Sequence, residues 1–263
     1  MSFLPDSSEK ILILSYRDGK IIDTKGERDC TAQRRYQKVV EEAPANFVAP
    51  EVRTQLHHAA ITLARGLDYV GAATVEFIVD AQTGDFSFLE VNTRVQVEHP
   101  VTEMLTGIDI VREQLRIAGG QPLSFSQSDV VLTGHAIECR LNAEDPGAGF
   151  LPSPGRVTRW IPPVGEDIRV DSHVYGDYLI PPYYDSMIAK VISHGEDRDT
   201  CLVKMDRALG HMVIDGVSTN RDFLRDVIQH PDFVAGDHHT RWVEQEFLAG
   251  WADGQGDHRR ETV

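Results

Sequence analysis

Polar Thr74, Glu76, Glu90 and Asn92 alternate with apolar Val75, Phe77, Leu89 and Val91 inside two stretches, 74–79 and 86–92, that are rich in β-branched and aromatic side chains and read as strands. Asp80-Ala81-Gln82-Thr83-Gly84-Asp85 between them is turn-forming, so the pair predicts a hairpin. In that hairpin Glu76 and Glu90 stand nearly opposite one another; Glu76, Glu90 and Asn92 share a face, while Leu89 and Val91 point the other way. Residues 10–25 predict an earlier hairpin around the Asp18-Gly19 turn signal. Ile11 to Leu14 are all aliphatic, so that strand is expected to serve packing alone.

A helical period takes over at Val52, Leu56, Ala59, Ala60, Leu63 and Leu67. A second helix is predicted from Ile108 to Ile117, stopped by Gly119-Gly120. A domain boundary is expected between Gly119 and Ser128. Short strands follow, Ala136 to Leu141 among them, and then helices near 198–212 and 219–229, the latter opened by the capping candidates Ser218 and Thr219. Residues 250–263 are glycine-rich and charged and are expected to be disordered.

Composition narrows the class. A chain of 263 residues with 41% hydrophobic content can bury a sizeable core in one or two domains. A net charge of −15 argues against a nucleic-acid partner. Cys30, Cys139 and Cys201 are odd in number and widely scattered, which suggests neither a disulfide framework nor a cysteine metal site and points to a reducing cytoplasm. No secretory leader and no stretch approaching the roughly 20 apolar residues of a membrane span is recognisable, so no membrane partner is expected.

Candidate chemistry concentrates in Glu90-Val91-Asn92-Thr93-Arg94-Val95-Gln96-Val97-Glu98-His99-Pro100. Opposed carboxylates repel unless something positive lies between them. Glu76, Glu90 and Asn92 are hard oxygen ligands of the kind that suit Mg2+ or Mn2+ with a nucleotide phosphate; two solvated hairpin acids are the plain alternative. Arg94, Gln96 and Glu98 continue the alternation, so a strand-like segment presents a guanidinium fork, an amide and a carboxylate in a row. A fork can hold a planar oxyanion in two-pronged fashion and the carboxylate can remove a proton, a description that bicarbonate fits.

Residues 90–103, EVNTRVQVEHPVTE, are similar to the signature of the biotin carboxylase component of biotin-dependent carboxylases, an ATP-grasp family. ERDCTAQRRYQKVVEEAPA at 27–45, GHAIECRLNAEDP at 134–146, FLPSPGRVTRW at 150–160 and PPYYDSMIAKVI at 181–192 carry the resemblance on, over about residues 27–245. It implies an α+β fold: the C-terminal half of an ATP-grasp fold, an antiparallel sheet with helices over 27–120, then a biotin carboxylase C-terminal domain over 121–249, with a divergent hairpin at 1–26 and a tail at 250–263.

The resemblance also implies roles. Glu76, Glu90 and Asn92 would contact the divalent metals bridging the phosphates of ATP; Arg94, Gln96 and the Val97 backbone would hold bicarbonate, with Glu98 as its base. Arg140 would stabilise the biotin enolate, and Gln33, Tyr36 and Lys38 would line the nucleotide and biotin side. Arg140 as an ion-pair partner of Glu138 or Glu144, and residues 33–38 as a solvated basic patch, are the rival readings. The implied reaction phosphorylates bicarbonate, lets carboxyphosphate collapse to carbon dioxide and carboxylates the N1 atom of biotin. Biotin is then a substrate on a biotin carboxyl carrier protein, because this sequence holds no Met-Lys-Met biotinylation motif.

The family also carries an N-terminal domain and a glycine-rich, lysine-bearing lid. Only 26 residues precede Glu27, and Gly19 and Gly26 do not make a phosphate-cradling loop. Three expectations follow: a split enzyme completed by a second chain, a silent relative that pairs with a full-length biotin carboxylase, or a truncated product. In each, the isolated chain is expected not to turn over ATP.

Overall fold

The computed structural model describes residues 6–15, 20–45, 48–80 and 82–254. The Asp18-Gly19 turn, Ala81 of the second hairpin's turn, and residues 255–263 of the expected tail lie outside the described residues. The chain forms two compact units that interleave in sequence: residues 1–31, 41–138 and 194–201 in the first, residues 32–40, 139–193 and 202–263 in the second.

In the first unit, β1 (Asp6–Ser15) is central. It pairs antiparallel with β2 (Ile21–Asp23) and β3 (Arg28–Asp29) along one side and, over its whole length, with β7 (Gly71–Asp80) on the other. Between these come β4 (Gln33–Arg34) and β5 (Gln37–Lys38), which belong to the second unit, β6 (Val40–Ala43) and helix α1 (Pro50–Gly66). β8 (Phe86–Asn92) closes the order β6-β3-β1-β7-β8 as an edge strand.

Both faces of β1 are covered, which explains its unbroken aliphatic run. Ile11 and Ile13, with Val75, Phe77 and Val79 of β7, pack under Leu56, Ala60 and Ala64 of α1. Leu12 and Leu14, with Ala72, pack on the other face against Ile110 and Ile117 of α3 (Ile110–Ala118), which follows α2 (His99–Thr106). Each such aliphatic side chain contributes about 1.5–3 kcal/mol when taken from water. Leu67, expected on the buried stripe of α1, is instead its 65% exposed C-cap, because the helix ends at Gly66. Helix α3 runs as its pattern predicts, with the Asp109 carboxylate accepting the Arg112 N–H at 2.8 Å and Gly120 at φ 74° beyond its end.

His57 ties α1 to the strands. Its Nδ1 lies 2.7 Å from Asp23 Oδ2 and its Nε2 3.2 Å from Glu27 Oε2, while Arg53 pairs with the other Glu27 oxygen. Burial alone pulls the imidazolium down, but the hydrogen bonds and charges of Asp23 and Glu27 prevail and push it up from 6.5 to about 9. A raised folded-state value means that this stabilisation is fully present below pH 6.5 and is lost as pH rises through about 9. Urea midpoints at pH 6 and pH 9.5 should therefore fall further apart for the native protein than for His57→Gln. Equal differences for the two would remove His57 as the source.

In the second unit β4 and β5 form a hairpin, with Arg35 and Tyr36 at φ 49° and 64°, the left-handed pair a tight two-residue turn requires. The boundary between units falls within β9 (His135–Asn142). Strands Ile168–Ser172 and Met187–Gly195 pair antiparallel, and helices α4 (Arg198–His211) and α5 (Arg221–Gln229) follow. Neither Ser218 nor Thr219 caps α5; Asn220 holds that position. Its amide spends both ends on β9, accepting the Asn142 N–H at 2.8 Å and donating to the Arg140 carbonyl at 3.0 Å.

The tail is ordered further than its composition predicts, with a helix at Leu248–Gly254. Trp251 anchors it, donating from Nε1 to Asp226 Oδ2 at 2.7 Å and standing edge-on to Phe223, whose burial outweighs the glycine content. Cys30, Cys139 and Cys201 are buried and form no disulfide with one another. No described helix is long and apolar enough to cross a membrane.

Candidate functional site

The β7–β8 hairpin brings Glu76 directly across from Glu90 and Thr74 across from Asn92, the register that the period-two pattern predicts. A bulge between Glu76 and Phe77 then shifts the pairing so that Phe77 faces Phe88. Because β8 is the edge, Glu90 is exposed while Glu76, on β7, is buried.

Residues 93–98 are not a strand. They leave β8 as irregular chain, turn at Val97 and Glu98, and enter α2, which Glu98 N-caps. The alternation of burial holds only from Val95 to Glu98: Gln96 and Glu98 are buried and Val95 and Val97 half-buried, whereas Arg94, in phase with the buried pair, is exposed. His99, although it precedes Pro100, is the first residue of α2, held as its Nδ1 meets the Gln96 carbonyl at 2.7 Å.

Glu76 Oε1 is the hub. It accepts the Asn92 amide at 2.8 Å, the Gln96 amide at 2.8 Å and the Lys10 ammonium at 2.6 Å. Asn92 also donates to Glu90 Oε1 at 2.8 Å, and Arg94 reaches Asn92 Oδ1 at 3.4 Å and the Val95 carbonyl at 3.2 Å. Lys10 Nζ lies 2.9 Å from Glu98 Oε1 and 3.5 Å from Gln96 Oε1. Arg28, fully buried, donates from Nη2 to Thr74 Oγ1 at 2.9 Å and approaches Gln96 Oε1 at 3.5 Å.

Lys10 overturns the reading of the first strand as packing alone. Residues 8, 10, 12 and 14 share one face of β1; Leu12 and Leu14 go to the core, and Lys10, across from Glu76 in the β1–β7 register, heads the row. Burial pulls the ammonium down, but neighbouring Cys30, Glu98 and Glu76 outweigh it and hold its value above the ordinary lysine range. A charged residue in phase with buried leucines was the available signal for Lys10. Arg28 and Thr74 had none beyond their strands.

The arrangement does not fit a divalent ion at Glu76 as folded here. The donor types suit Mg2+ or Mn2+, but the inward Glu76 oxygen already faces three N–H donors. Glu90 remains exposed on the edge strand, with the half-buried Asn92 amide donating to both acids.

The remaining candidates belong to the second unit. Gln33 pairs with Lys38 across the β4–β5 hairpin, both half-buried, and Tyr36 at its tip is 89% exposed. Arg34 beside them is held over the Phe150 ring at 4.0 Å and lies 3.8 Å from Glu144. Arg140 lies half-buried on β9.

Residues 138–245 match the family model described as biotin carboxylase C-terminal domain. Residues 10–126 match that of the carbamoyl-phosphate synthase L chain ATP-binding domain. Biotin carboxylase 1 of Bacillus subtilis is 50% identical over 225 residues, 86% of this chain and 50% of that protein. The solved biotin carboxylase of Campylobacter jejuni, a complex with an ATP analogue, superposes with a TM-score of 0.87 at 44% identity, covering 91% of this chain and 53% of that one. The biotin carboxylase domain dimer of the Hydrogenobacter thermophilus 2-oxoglutarate carboxylase, solved with MgADP, ADP and bicarbonate, superposes with a TM-score of 0.87 at 43% identity, over 91% of this chain and 52% of that one.

The fold is thus α+β, the C-terminal half of an ATP-grasp fold followed by a biotin carboxylase C-terminal domain. The chain belongs to the biotin carboxylase family and spans about half the length of the relatives it matches.

Proposed function

We propose that this chain supplies the bicarbonate- and biotin-facing part of a biotin carboxylase, which carboxylates biotin on a biotin carboxyl carrier protein at the expense of ATP. The residues that clamp the ATP phosphates come, in this reading, from polypeptide outside these 263 residues. The observation that carries it is the placement of the Arg94-Gln96-Glu98 run, a guanidinium at the surface followed by a buried amide and a buried carboxylate beside a buried ammonium. A carboxylate fixed beside a planar-anion clamp is what deprotonation of bicarbonate needs.

Arg94, with Gln96 and the Val97 backbone, holds the bicarbonate oxygens, and Glu98 takes its proton as the freed oxygen attacks the terminal phosphorus of ATP and ADP leaves. Carboxyphosphate breaks to carbon dioxide and phosphate. Biotin N1 gives up its proton to that phosphate and the resulting enolate, stabilised by Arg140, attacks carbon dioxide. Gln33, Tyr36 and Lys38 line the nucleotide and biotin side. The chain divides near residue 120 into an ATP-grasp half over 27–120 and a C-terminal domain over 121–249; what supports a division is that the two family models match separate stretches, 10–126 and 138–245, although the first match begins ahead of residue 27. The working assembly is a dimer in the cytoplasm.

A second reading has one observation in its favour, the lysine seated on Glu76 and Glu98. In it, the chain is a silent relative that associates with a full-length biotin carboxylase. Bicarbonate-dependent ADP formation with free biotin separates the two. The first reading expects turnover only when a polypeptide carrying the ATP clamp is added. Turnover by this chain alone removes the need for a partner. No turnover with any complementing chain, together with a mixed complex formed with a full-length biotin carboxylase, decides for the silent relative.

A further inference from the structure

We infer that the Lys10 ammonium is the resident cation of the pocket between Glu76 and Glu98, standing where a divalent ion would stand, so that the folded chain takes no divalent metal at Glu76. This goes beyond the proposed carboxylation and holds whether or not the chain takes part in it.

Three observations carry the inference. The ammonium donates to Glu76 Oε1 at 2.6 Å and to Gln96 Oε1 at 3.5 Å, and it forms an ion pair with Glu98 Oε1 at 2.9 Å. Lys10 is 0% exposed, so there is no open side from which a magnesium or manganese ion, which ordinarily keeps several of its waters, could share these ligands. Positive charge is already in the pocket without a metal: Lys10 pairs with both Glu76 and Glu98, and Arg28, also fully buried, approaches the same Gln96 oxygen that Lys10 does.

The position of the ammonium is set by the sheet. Lys10 and Glu76 are paired across the β1–β7 ladder, and Leu12 and Leu14 lock the same face of β1 into the core. A metal reaching Glu76 would have to expel a side chain that the strand register aims there. A divalent ion carried in with a nucleotide would be left the exposed Glu90 carboxylate and the half-buried Asn92 oxygen.

The test is a manganese titration of the full chain without nucleotide, followed by electron paramagnetic resonance of the free ion. Surface acids will bind Mn2+ weakly on a chain of this charge, so the comparison of variants isolates the pocket. Native protein and Glu76→Gln are expected to titrate alike. Lys10→Met, close in length but uncharged, is expected to gain Mn2+ affinity by ~10–100-fold, the scale on which local changes tune a metal site, and Lys10→Met/Glu76→Gln to lose the gain. A native protein whose Mn2+ binding falls tenfold or more on Glu76→Gln overturns the inference, as does folded Lys10→Met with no gain. Should Lys10→Met not fold, the comparison of native protein with Glu76→Gln decides alone.

Discussion

Glu42→Ala is expected to lower the stability of the first unit by ~3–5 kcal/mol, the cost of stripping one partner from a buried ion pair. The Glu42 carboxylate is buried and accepts Arg198 Nε at 2.6 Å and Nη2 at 2.9 Å, a two-pronged clasp, with His135 Nε2 at 2.7 Å on the same oxygen as Nε. Removing it takes away the carboxylate that clasps the buried Arg198 guanidinium in two-pronged fashion, leaving the charges of Asp29 and Asp199 to act on it. The change should appear as a fall in the urea midpoint at unchanged slope. A loss under ~1 kcal/mol, the range of exposed pairs, would show that water reaches the clasp.

The same carboxylate sets an acid limit. Burial by itself raises Glu42, but the hydrogen bonds from His135 and Arg198 and their charges prevail, and the carboxyl falls from 4.5 to about 2. A depressed folded-state value contributes stability that is present above pH 4.5 and lost as pH falls toward 2. Native protein and Glu42→Ala should therefore converge in stability across that window, by about 3 kcal/mol at one pKa unit per 1.36 kcal/mol. Parallel curves down to pH 2 would place the acid sensitivity elsewhere.

The second large effect concerns the proposed reaction. In an assembly that carboxylates biotin, Glu98→Gln is expected to reduce kcat/KM for bicarbonate by ~10²–10⁴-fold, the range a positioned general base supplies. The amide keeps the shape of the side chain and gives up its negative charge. The Lys10 contact at 2.9 Å then loses its ionic part while Glu76 retains its own. ADP release and carboxybiotin formation should fall together, since both follow the attack by deprotonated bicarbonate. A fall below tenfold would leave Glu98 a structural partner of Lys10 and remove it from the proton transfer.

The β7–β8 hairpin was legible because both strands are rich in β-branched and aromatic residues and its turn residues are explicit; the opposition of Glu76 and Glu90 followed from that geometry. The extension of the alternation past Asn92 held as burial for Gln96 and Glu98, failed for the exposed Arg94, and was not a strand. Past Asn92 the backbone leaves the sheet edge and Pro100 opens a helix, so the same spacing is produced by a turn and an N-cap. Ser218 and Thr219 looked like caps because local propensity knows nothing of β9, whose backbone groups claim Asn220.

By itself the sequence determined the family, the α+β class, the hairpin that sets the two acids face to face, and the run from Glu90 to Pro100 where chemistry gathers. These follow from short-range periodicity and from motifs that stand in order along the chain. Only the tertiary structure decided what fills the space between those acids. Lys10 and Arg28 come from strands more than 45 residues before Glu76 or Gln96 in the chain, and no local pattern pairs them. Strand pairing across β1 and β7 brings an ammonium onto two carboxylates because buried like charges repel until a cation stands between them.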